Sequence, residues 1–388
     1  MSIKEKSLKK HYEWKGKVAT LVKSPIDSNE DLMLAYTPGV AEACLVINED
    51  KQKSYDLTSR GNLVAVITDG SAVLGLGNIG PEASMPVMEG KCAIFKRFAD
   101  VDCVPISLNT QDVDEIIKTI KYLEPNFGGI NIEDIKAPNC FIIEKALKDS
   151  LNIPVFHDDQ HGTAIVVGAA LINALKLVNK TLNEVKVTIN GAGAAGIAIA
   201  KFLLELGIND IIMVDRHGIL SRDVKQDNTS KDEIANLTND KLLKGNLSNA
   251  MTNRDVFIGV SAGNLVNQEM VKLMNKDAVV FALANPIPEI TPTLAKEAGA
   301  KIVGSGSNVY ENQINNALVF PGLFKGTFKA RATQITTNMM IASAYAIANY
   351  LTDLKPEKIM PSILDDAVHQ AVIEAVYQQA IKDGVVRK

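Results

Sequence analysis

The stretch Lys186-Val-Thr-Ile-Asn-Gly-Ala-Gly-Ala-Ala-Gly196 decides the fold of the second half of this 388-residue chain. A short β-branched run is followed by three glycines spaced Gly-x-Gly-x-x-Gly, and then by an apolar segment that reaches Leu206. Farther along, the apolar run Ile211 to Val214 ends in Asp215, which places a carboxylate at the tip of a second strand. This order of strand, glycine turn, helix, strand and acid is the fingerprint of a dinucleotide-binding domain.

Each glycine of the fingerprint has a separate physical task. Gly191 permits a tight turn, Gly193 leaves room for a pyrophosphate against the backbone, and Gly196 lets the helix lie close to the strand. The helix N-terminus offers unpaired N–H groups to the phosphates, and the strand-end carboxylate can accept hydrogen bonds from the adenosine ribose. The residues expected to contact the dinucleotide are Gly191, Gly193, Ala194, Ala195, Gly196, Asp215 and Arg216.

A second match to the glycine pattern, Gly75 to Gly80, stands in a different context. The segment Thr68 to Ser71 separates it from the preceding apolar run, and Pro81 follows it at once. Asp100 precedes the next apolar run instead of ending it. The sequence therefore favours a turn here, at a point where the backbone approaches another part of the molecule.

The composition is that of an ordinary globular protein, with 46% hydrophobic and 22% charged residues and a formal net charge of −4. Beyond the lysine-rich start there is no basic block, so nucleic-acid binding is not indicated. The four cysteines are scattered, which fits a reducing cytosol better than a disulfide framework or a zinc site. The N-terminus lacks the apolar core of a signal peptide, and the longest apolar run, Ala164 to Val178, is too short to span a bilayer. We expect a cytoplasmic protein without a membrane partner.

From Asn62 onward, strand-like and helix-like segments alternate, which predicts an α/β fold with mainly parallel sheets covered by helices on both faces. Besides the two fingerprint strands, the predicted strands are 63–68, 103–107, 129–132, 153–157, 256–260, 278–284 and 301–305. Besides the fingerprint helix, the predicted helices are 82–98, 112–123, 137–148, 162–178, 328–351 and 361–382.

This pattern predicts two domains with helical segments at both ends of the chain. We expect an N-terminal catalytic α/β domain over residues 1–157 and a Rossmann-type dinucleotide-binding domain over residues 158–316. The helices of residues 317–388 follow the last Rossmann strand and are expected to complete the first domain. Residues 1–35 form a polar, amphipathic arm that should dock on the chain's own body or on a second subunit.

Acidic pairs follow two of the predicted strands, Glu133-Asp134 after the third strand and Asp158-Asp159 after the fourth. Ligands of α/β sheets collect beyond the carboxyl ends of the strands. Carboxylates gathered there repel one another and lose hydration, and a hard divalent cation such as Mg²⁺ or Mn²⁺ removes both costs. Helix N-capping by Asp134 and Asp159 is the alternative, and the spacing alone favours neither.

Other residues allow both a functional and a structural interpretation. His157 and His161 have the spacing of a zinc-binding helix motif, but they straddle a strand-to-helix turn, so zinc is not favoured. Lys91 lies among small and apolar residues; if buried, its pKa should fall and it could act as a base, although a surface lysine is the commoner case. Tyr36 stands beside a Pro-Gly turn, where a tyrosine is more often packed than catalytic.

A series of motifs resembles those of the malic enzymes, in that family's order, over nearly the whole chain. They are Tyr36-Thr-Pro-Gly-Val-Ala41, Thr68-Asp-Gly-Ser-Ala-Val-Leu-Gly-Leu-Gly77, Met88-Glu-Gly-Lys91, Asn131-Ile-Glu-Asp134, Phe156-His-Asp-Asp-Gln-His-Gly-Thr-Ala164, Asn285-Pro286 and Asn315-Asn316-Ala-Leu-Val-Phe-Pro-Gly322. The length of the chain is like that of the short bacterial members.

The resemblance implies oxidative decarboxylation of L-malate to pyruvate and CO₂, with NAD or NADP reduced and Mg²⁺ or Mn²⁺ required. It also implies that Lys91 is the general base, in contact with the substrate, and that Tyr36 is the general acid. By resemblance the metal ligands are Glu133, Asp134 and Asp159, the substrate-binding amides are Asn285 and Asn316, Asn285 also meets the cofactor, and Asp158 supports the lysine or the ligand shell. The short members resemble dimers, so a homodimer is expected.

These residue types suit the chemistry that the resemblance implies. The C2 hydroxyl of malate is a poor acid in water, so a metal ion and a neutral Lys91 together would remove its proton. After hydride transfer and loss of CO₂, C3 needs a proton, which a neutral Tyr36 can donate.

Larger family members carry an arginine after the Thr-Asp-Gly turn, where this chain has Gly70 to Val73. Another cation, such as Arg97, a lysine or a partner residue, must then balance the second carboxylate of malate.

Two choices stay open in the sequence. Asp215 slightly favours NAD because a carboxylate repels a 2′-phosphate, whereas the adjacent Arg216 could bind that phosphate. The same site could also serve a malolactic enzyme or an oxaloacetate decarboxylase, without net formation of NAD(P)H. A nucleotide-binding sensor without catalysis is disfavoured because the acid, the base and all three ligand positions are present.

Overall fold

A computed structural model describes residues 1–387 as an α/β protein with two mainly parallel sheets, which confirms the predicted fold class. The strands are β1 (Leu63–Thr68), β2 (Asp102–Ser107), β3 (Gly129–Ile132), β4 (Val155–His157), β5 (Lys186–Asn190), β6 (Asp210–Asp215), β7 (Gly218–Ile219), β8 (Val256–Gly259), β9 (Val279–Ala282) and β10 (Ile302–Ser305). The first sheet has the order β2-β1-β3-β4, and the second has the order β10-β9-β8-β5-β6-β7. Within the described chain, only the short β7 runs antiparallel to its neighbour.

Helices flank both sheets and form the two ends of the chain. They are α1 (Ile3–Trp14), α2 (Asn29–Ala35), α3 (Val40–Glu49), α4 (Ser54–Leu57), α5 (Gly80–Ala99), α6 (Val113–Leu123), α7 (Asn139–Ser150), α8 (Thr163–Val178), α9 (Ala194–Glu205), α10 (Thr229–Leu237), α11 (Leu247–Met251), α12 (Gln268–Lys272), α13 (Pro292–Glu297), α14 (Phe320–Lys329), α15 (Thr337–Tyr350) and α16 (Asp366–Lys382). The predicted helix 328–351 is wrong, because the left-handed backbone of Arg331 ends one helix and Thr336 caps the next.

The first sheet brings three strand tips to one edge. Ile67 of β1 pairs with Ile132 of β3, and Ile132 pairs with His157 of β4, so the parallel strands end at the same level. Along β1, Ala65 and Ile67 face one buried cluster while Val64 and Val66 face another, so both sides of the sheet are covered. The residues that follow β1, β3 and β4 must therefore lie close together at one buried edge of the sheet.

A continuous helical stretch joins the first sheet to the second. It consists of a π-helical turn over Asp158–Gly162 followed by α8. At 21 residues, it is the one stretch of the described chain that is long and apolar enough to cross a membrane, but 78% of its apolar window is buried inside the protein. The predicted apolar run, Ala164 to Val178, is shorter than this stretch, because the π-helical turn extends the helix at its N-terminal end. Burial of this extent is typical of a helix in a protein core.

The C-terminal helices contact both halves of the chain. Phe95 of α5 packs on the ring of Phe320 in α14, with the ring centroids 4.7 Å apart. Asn173 of α8 donates a hydrogen bond of 2.9 Å to the carbonyl of Ala348 in α15. The domain limits at 157/158 and 316/317 stay a prediction, which the contact between α14 and α5 supports.

The N-terminal arm lacks a core of its own. None of residues 1–63, all of which the structure describes, is buried. The arm is held to the body by polar contacts, among them a hydrogen bond of 3.1 Å from the Lys17 N–H to Glu89 and an ion pair of 3.2 Å between Lys23 and Asp102. Large apolar side chains therefore remain exposed on this segment.

The fingerprint turn has the geometry that its glycines predict. Gly191 adopts a positive φ of 120°, which glycine accepts without strain. A Cβ atom added at Gly196 would lie 1.7 Å from the Gly191 carbonyl oxygen, so helix α9 is in direct contact with the turn. A Cβ atom added at Gly193 would meet nothing within 4 Å.

Gly196 and Gly193 provide a matched pair of substitutions. We expect Gly196→Ala to lower the free energy of unfolding by about 1–3 kcal/mol, because the backbone must move to admit the methyl group. Gly193→Ala should change it by less than about 0.5 kcal/mol, because the same methyl group enters open space. Urea unfolding followed by circular dichroism measures both. Equal destabilisation by the two substitutions would contradict the described packing of α9.

Candidate active site

Carboxylates from two strand tips converge at the edge of the first sheet. Glu133 and Asp134 follow β3, and Asp159 lies in the π-helical turn that follows β4. One oxygen from each of the three lies within 4.8 Å of the others. Glu133 and Asp134 are buried and Asp159 is partly buried. The structure thus brings together the three residues that were predicted to hold a metal ion.

Local backbone geometry aims these carboxylates at one another. Asp134 adopts a left-handed φ of 52°, which is uncommon for a residue other than glycine. Its N–H donates a 2.7 Å hydrogen bond to Asp159 Oδ2, and its carbonyl accepts a 2.9 Å hydrogen bond from Ala72. The Asn131 amide donates a 2.9 Å hydrogen bond to Glu133 Oε2. Sequence reasoning did not assign this role to Asn131.

Helix capping does not account for the two aspartates. Helix α7 begins after Pro138 and α8 begins after Gly162, and neither helix has a side-chain cap. Asp159 accepts its hydrogen bond from the Asp134 backbone instead. Asp134 and Asp159 therefore do not act as helix N-caps, which was the alternative to a metal site.

Lys91 of α5 reaches into the same cluster. Its Nζ lies 2.9 Å from Glu133 Oε1, 2.5 Å from Asp158 Oδ2 and 4.4 Å from the centre of the Phe320 ring. The side chain is buried, with a residue exposure of 9%. Burial acts to lower the pKa of Lys91, but the charges of Asp158 and Glu133 outweigh it and raise that pKa. The predicted fall in its pKa is wrong for the protein without a bound cation.

The cluster holds more negative than positive charge. Burial, with the charges of Asp159 and Glu133, raises the pKa of Asp134 to about 9. Burial also raises the pKa of Glu133 to about 7 and that of Asp158 to about 6, although Lys91 opposes both shifts. Buried oxygens of Asp134 and Asp158 have no hydrogen-bond partner in the described chain. An oxygen-only set of this kind fits a hard divalent cation.

The two histidines that resemble a zinc motif have different surroundings. His157 is fully buried, neither of its ring nitrogens has a hydrogen-bond partner among the described residues, and burial lowers its pKa to about 4. His161 Nε2 lies 2.6 Å from Glu144, on helix α7. The two rings share no carboxylate partner at hydrogen-bond distance.

The two predicted substrate amides lie at different borders of the site. Asn316 adjoins the π-helical turn, because a Cβ atom added at Gly162 would lie 3.2 Å from its Cβ. Asn285 follows β9, and its backbone carbonyl faces Gly75, where an added Cβ atom would lie 3.5 Å from it. The Gly75 turn thus approaches another part of the molecule, as predicted.

Two other candidates are not brought to the cluster. Arg97, suggested as the partner of malate's second carboxylate, is wrong for this role because its guanidinium pairs with Asp366 at 2.7 Å on the surface. Tyr36 ends helix α2 and is 67% exposed. Its hydroxyl makes no hydrogen bond to the part of the chain that the structure describes, whereas Lys91 is buried within the cluster.

Two of the three fingerprint glycines, Gly191 and Gly193, line a cleft of about 980 Å³ beyond the carboxyl ends of the second sheet. Its walls come from the segments after β5, β6 and β8, namely Asn190–Gly193, Val214–Gly218 and Val260–Ala262. The open space at Gly193 leaves the backbone accessible at the start of α9, which fits a dinucleotide pyrophosphate. Asp215 and Arg216 line the same cleft, together with Lys231, which sequence reasoning missed.

Comparison with known proteins agrees with these features. Residues 15–148 match the malic enzyme N-terminal domain, and residues 160–381 match the malic enzyme NAD-binding domain. The chain is 52% identical to the bifunctional malic/malolactic enzyme of Bacillus subtilis, over 100% of this chain and 95% of that protein. It is 42% identical to the NADP-dependent malic enzyme of Escherichia coli, over 96% of this chain and 51% of that protein.

A solved structure gives the same result. The NAD-dependent malic enzyme of Thermotoga maritima superimposes with a TM-score of 0.93 at 50% sequence identity, over 96% of this chain and 98% of that one. Sequence motifs, both matched domains and this likeness in structure cover nearly the whole length of the protein. The chain belongs to the malic enzyme family.

Proposed function

We propose that this protein converts L-malate to pyruvate and CO₂ by oxidative decarboxylation, with reduction of NAD⁺ or NADP⁺ and a requirement for Mg²⁺ or Mn²⁺. The observation that carries the proposal is the buried ammonium group of Lys91, held between Glu133 and Asp158 beside three convergent carboxylates. The similarity to malic enzymes of Bacillus subtilis, Escherichia coli and Thermotoga maritima supports the same reaction. All four cysteines are free, which supports a place in the cytoplasm.

A divalent ion held by Glu133, Asp134 and Asp159 would polarise the C2 oxygen of malate and stabilise the negative charge that develops there during decarboxylation. Lys91 is the group placed to hold and move the C2 hydroxyl proton. Asp158, 2.5 Å from Nζ, fixes its position. Phe320 covers the ammonium group from one side and excludes water. Glu133 and Asp158 keep Lys91 protonated, so it could accept the C2 hydroxyl proton as a general base only after a bound divalent ion offsets their charges and lowers its pKa.

Substrate contacts come from the borders of the cluster. Asn316 stands beside the π-helical turn, and Asn285 stands where the second sheet faces the Gly75 turn. Both amides can donate hydrogen bonds to a carboxylate without adding charge. Because the metal ligands lie at the tips of the first sheet and the fingerprint lies in the second, malate would bind between the two, next to the nicotinamide.

Tyr36 can act as the general acid only if a second copy of the chain supplies it. Within one chain this residue is exposed and separate from Lys91. Its neighbours Leu32, Met33, Leu34 and Val40 are also exposed, although all are apolar. Exposed apolar surface of this kind marks a protein interface. We therefore include a homodimer in the proposal, with the N-terminal arms exchanged and Tyr36 of each subunit placed at the other's Lys91.

The decisive assay follows absorbance at 340 nm with malate and Mn²⁺, using NAD⁺ and NADP⁺ separately, with pyruvate and lactate quantified. We expect pyruvate and NAD(P)H to form in equal amounts and to require the metal ion.

Lys91→Met should lower the turnover number by about 10²–10⁴-fold, the usual contribution of a general base. Lys96→Met, on the exposed face of the same helix, is the control and should retain activity.

Two outcomes of that assay would contradict the proposal. Lactate or pyruvate formed without NAD(P)H would favour the malolactic or oxaloacetate decarboxylase alternative, which the name of the Bacillus subtilis relative leaves open. Wild-type turnover by Lys91→Met would remove this lysine from the mechanism.

The metal site can be tested without turnover. Mn²⁺ at about one hundred times its dissociation constant should stabilise the wild-type protein by about 2.7 kcal/mol, because it binds only the folded form. Asp159→Asn keeps the side-chain shape but removes a ligand charge, so most of this stabilisation should disappear. Asp149→Asn, at an exposed ion pair on α7, is the control. Thermal unfolding with and without Mn²⁺ measures the effect, and an unchanged shift in Asp159→Asn would refute the ligand assignment.

The exchange of Tyr36 predicts recovery of activity from two inactive proteins. In a dimer that combines Tyr36→Phe with Lys91→Met, one site would contain both native residues and the other would contain neither. Random association should therefore restore about a quarter of the wild-type activity. The two variants are co-expressed with different tags and assayed with malate. A mixed dimer with no activity would place both residues of each site in one chain.

A further inference from the structure

A cavity of about 320 Å³ lies at the end of the first sheet that is opposite to the carboxylates Glu133, Asp134 and Asp159. Two of its lining residues, Asn62 and Gly128, directly precede β1 and β3. The cavity therefore adjoins the amino ends of these parallel strands, whereas the three carboxylates follow the carboxyl ends. It shares no lining residue with the dinucleotide cleft, so it is separate from both sites described above.

The wall of this cavity contains three cationic side chains and no carboxylate. Lys23 comes from the N-terminal arm, where it pairs with Asp102 outside the cavity wall. Arg331 follows α14, and Arg387 is the last residue that the structure describes. Backbone pairing holds the two arginines side by side, because the N–H of Arg387 donates a 3.0 Å hydrogen bond to the carbonyl of Arg331. Positive charges gathered in this way repel one another, and a bound anion removes that repulsion.

Arg331 and Arg387 keep hydrogen-bond donors that no residue of the described chain uses. The side chain of Arg331 bonds only to Asp56, through Nη2, and Asp56 lies outside the cavity wall. Arg387 has no carboxylate partner within residues 1–387, and its Nη2 donates a hydrogen bond to the carbonyl of Asn152. Nε and Nη1 of both arginines are left without a partner in this part of the chain. Guanidinium nitrogens of this kind bind phosphate and carboxylate groups.

Tyr55, which also lines the cavity, contacts two guanidinium groups. The centre of its ring lies 4.4 Å from the guanidinium carbon of Arg60 and 4.5 Å from that of Arg387. The hydroxyl of Tyr55 is buried and has no hydrogen-bond partner among the described residues. Burial raises the pKa of Tyr55, so the hydroxyl keeps its proton at neutral pH and can donate a hydrogen bond. A buried donor without a partner is costly, and an anion in the cavity would satisfy it.

We propose that this cavity binds a phosphate group, either as inorganic phosphate or as the phosphate monoester of a small metabolite. The side chains of Arg331 and Arg387 start from bonded positions of the backbone, so their charges are concentrated at one point. A phosphate monoester carries about −1.5 to −2 charges on a single group at pH 7, whereas the two charges of a dicarboxylate are separated. Phe328 offers an apolar surface to the carbon atoms of an ester. The volume lies at the lower end of the range for small-molecule sites, about 300–1,000 Å³.

The proposed phosphate site goes beyond the proposed function and does not depend on it. No metal ligand, substrate amide or fingerprint glycine lines the cavity. Its cations come from the N-terminal arm, from the turn after α14 and from the C-terminal end of the described chain. A bound phosphate would therefore join these three segments at the amino ends of the first sheet and stabilise the folded protein.

Calorimetric titration of the purified full-length protein tests the site, in a phosphate-free buffer without malate, metal ion or dinucleotide. Inorganic phosphate and glycerol 3-phosphate are titrated separately, and the ratio of their affinities identifies the source of the phosphate group. We expect saturable binding that Arg387→Met weakens by about 10- to 100-fold, because a hydrogen bond to a charged group is lost. Tyr55→Phe keeps the ring and should weaken binding by about 3- to 10-fold. Arg222→Met, which removes a surface ion pair with Asp240, is the matched control and should bind like the wild type.

A variant at Ser59 keeps the proposal testable if Arg387→Met does not fold. Ser59 lines the cavity, is exposed, and its side chain makes no hydrogen bond within the described chain. Ser59→Asp therefore adds a negative charge to the wall without removing a contact, and it should abolish phosphate binding. Ser59→Asn has nearly the same shape without the charge and should retain binding within about threefold of the wild type.

Three results would overturn the proposal. The first is the absence of saturable binding of either phosphate probe to the wild-type protein. The second is an unchanged affinity in both Arg387→Met and Ser59→Asp, which would place the bound phosphate elsewhere, for example in the dinucleotide cleft. The third is tighter binding of succinate than of both phosphate probes, which would show a dicarboxylate site. Because malate, metal ion and dinucleotide are absent, none of these results depends on the proposed reaction.

Discussion

The crowding of four carboxylates, three of them buried and Asp159 partly buried, around one lysine at the edge of the first sheet is the constraint on which the rest of the site depends. Parallel strands of equal register end at one level, so Glu133, Asp134, Asp158 and Asp159 cannot avoid one another. Each buried ion loses several kcal/mol of hydration, and a single ammonium group compensates for only one charge. The raised pKa of Asp134 and the unpartnered oxygens of Asp134 and Asp158 follow from this crowding. A divalent cation held there would relieve both.

Much of this could be predicted from the sequence, because local patterns carry the information. The spacing of Gly191, Gly193 and Gly196 predicts the turn that they form. A carboxylate that follows a buried strand must lie at the edge of the sheet. What escaped prediction depends on residues distant in the sequence. The pKa of Lys91 rises because β3 and β4 deliver Glu133 and Asp158 to it. The 2.6 Å ion pair between Asp215, at the end of β6, and Lys231, in α10, joins residues beyond the fingerprint, so nothing in the fingerprint predicts it.

Tyr36 and Arg97 show a second limit of sequence reasoning. A motif reports that a residue type is present, but it does not report which chain or which surface receives the side chain. Arg97 lies two turns beyond Lys91 on the same helix, and yet it reaches Asp366 on the surface. Tyr36 belongs to a segment of 63 residues without a buried member. Such a segment gains little from folding alone, because it must offset its ordering entropy with buried apolar area. Docking against another copy, as in the proposed homodimer, would supply that area.

The π-helical turn Asp158–Gly162 connects the two halves of the molecule through a single element. It carries Asp158 and Asp159 at the first sheet and continues without a break into α8, which packs against the fingerprint helix α9. A π-helical turn contains an extra residue compared with an α-helical one, which rotates the side chains that precede it. A Cβ atom at Gly162 would lie 1.8 Å from Asp158 Oδ1, so the turn closes tightly around that carboxylate. Any shift of this helical stretch relative to the first sheet must therefore move Asp158 and Asp159 together, and Asp158 is an ion-pair partner of Lys91. The position of the nucleotide domain and the geometry of the acid cluster are thus set by the same backbone.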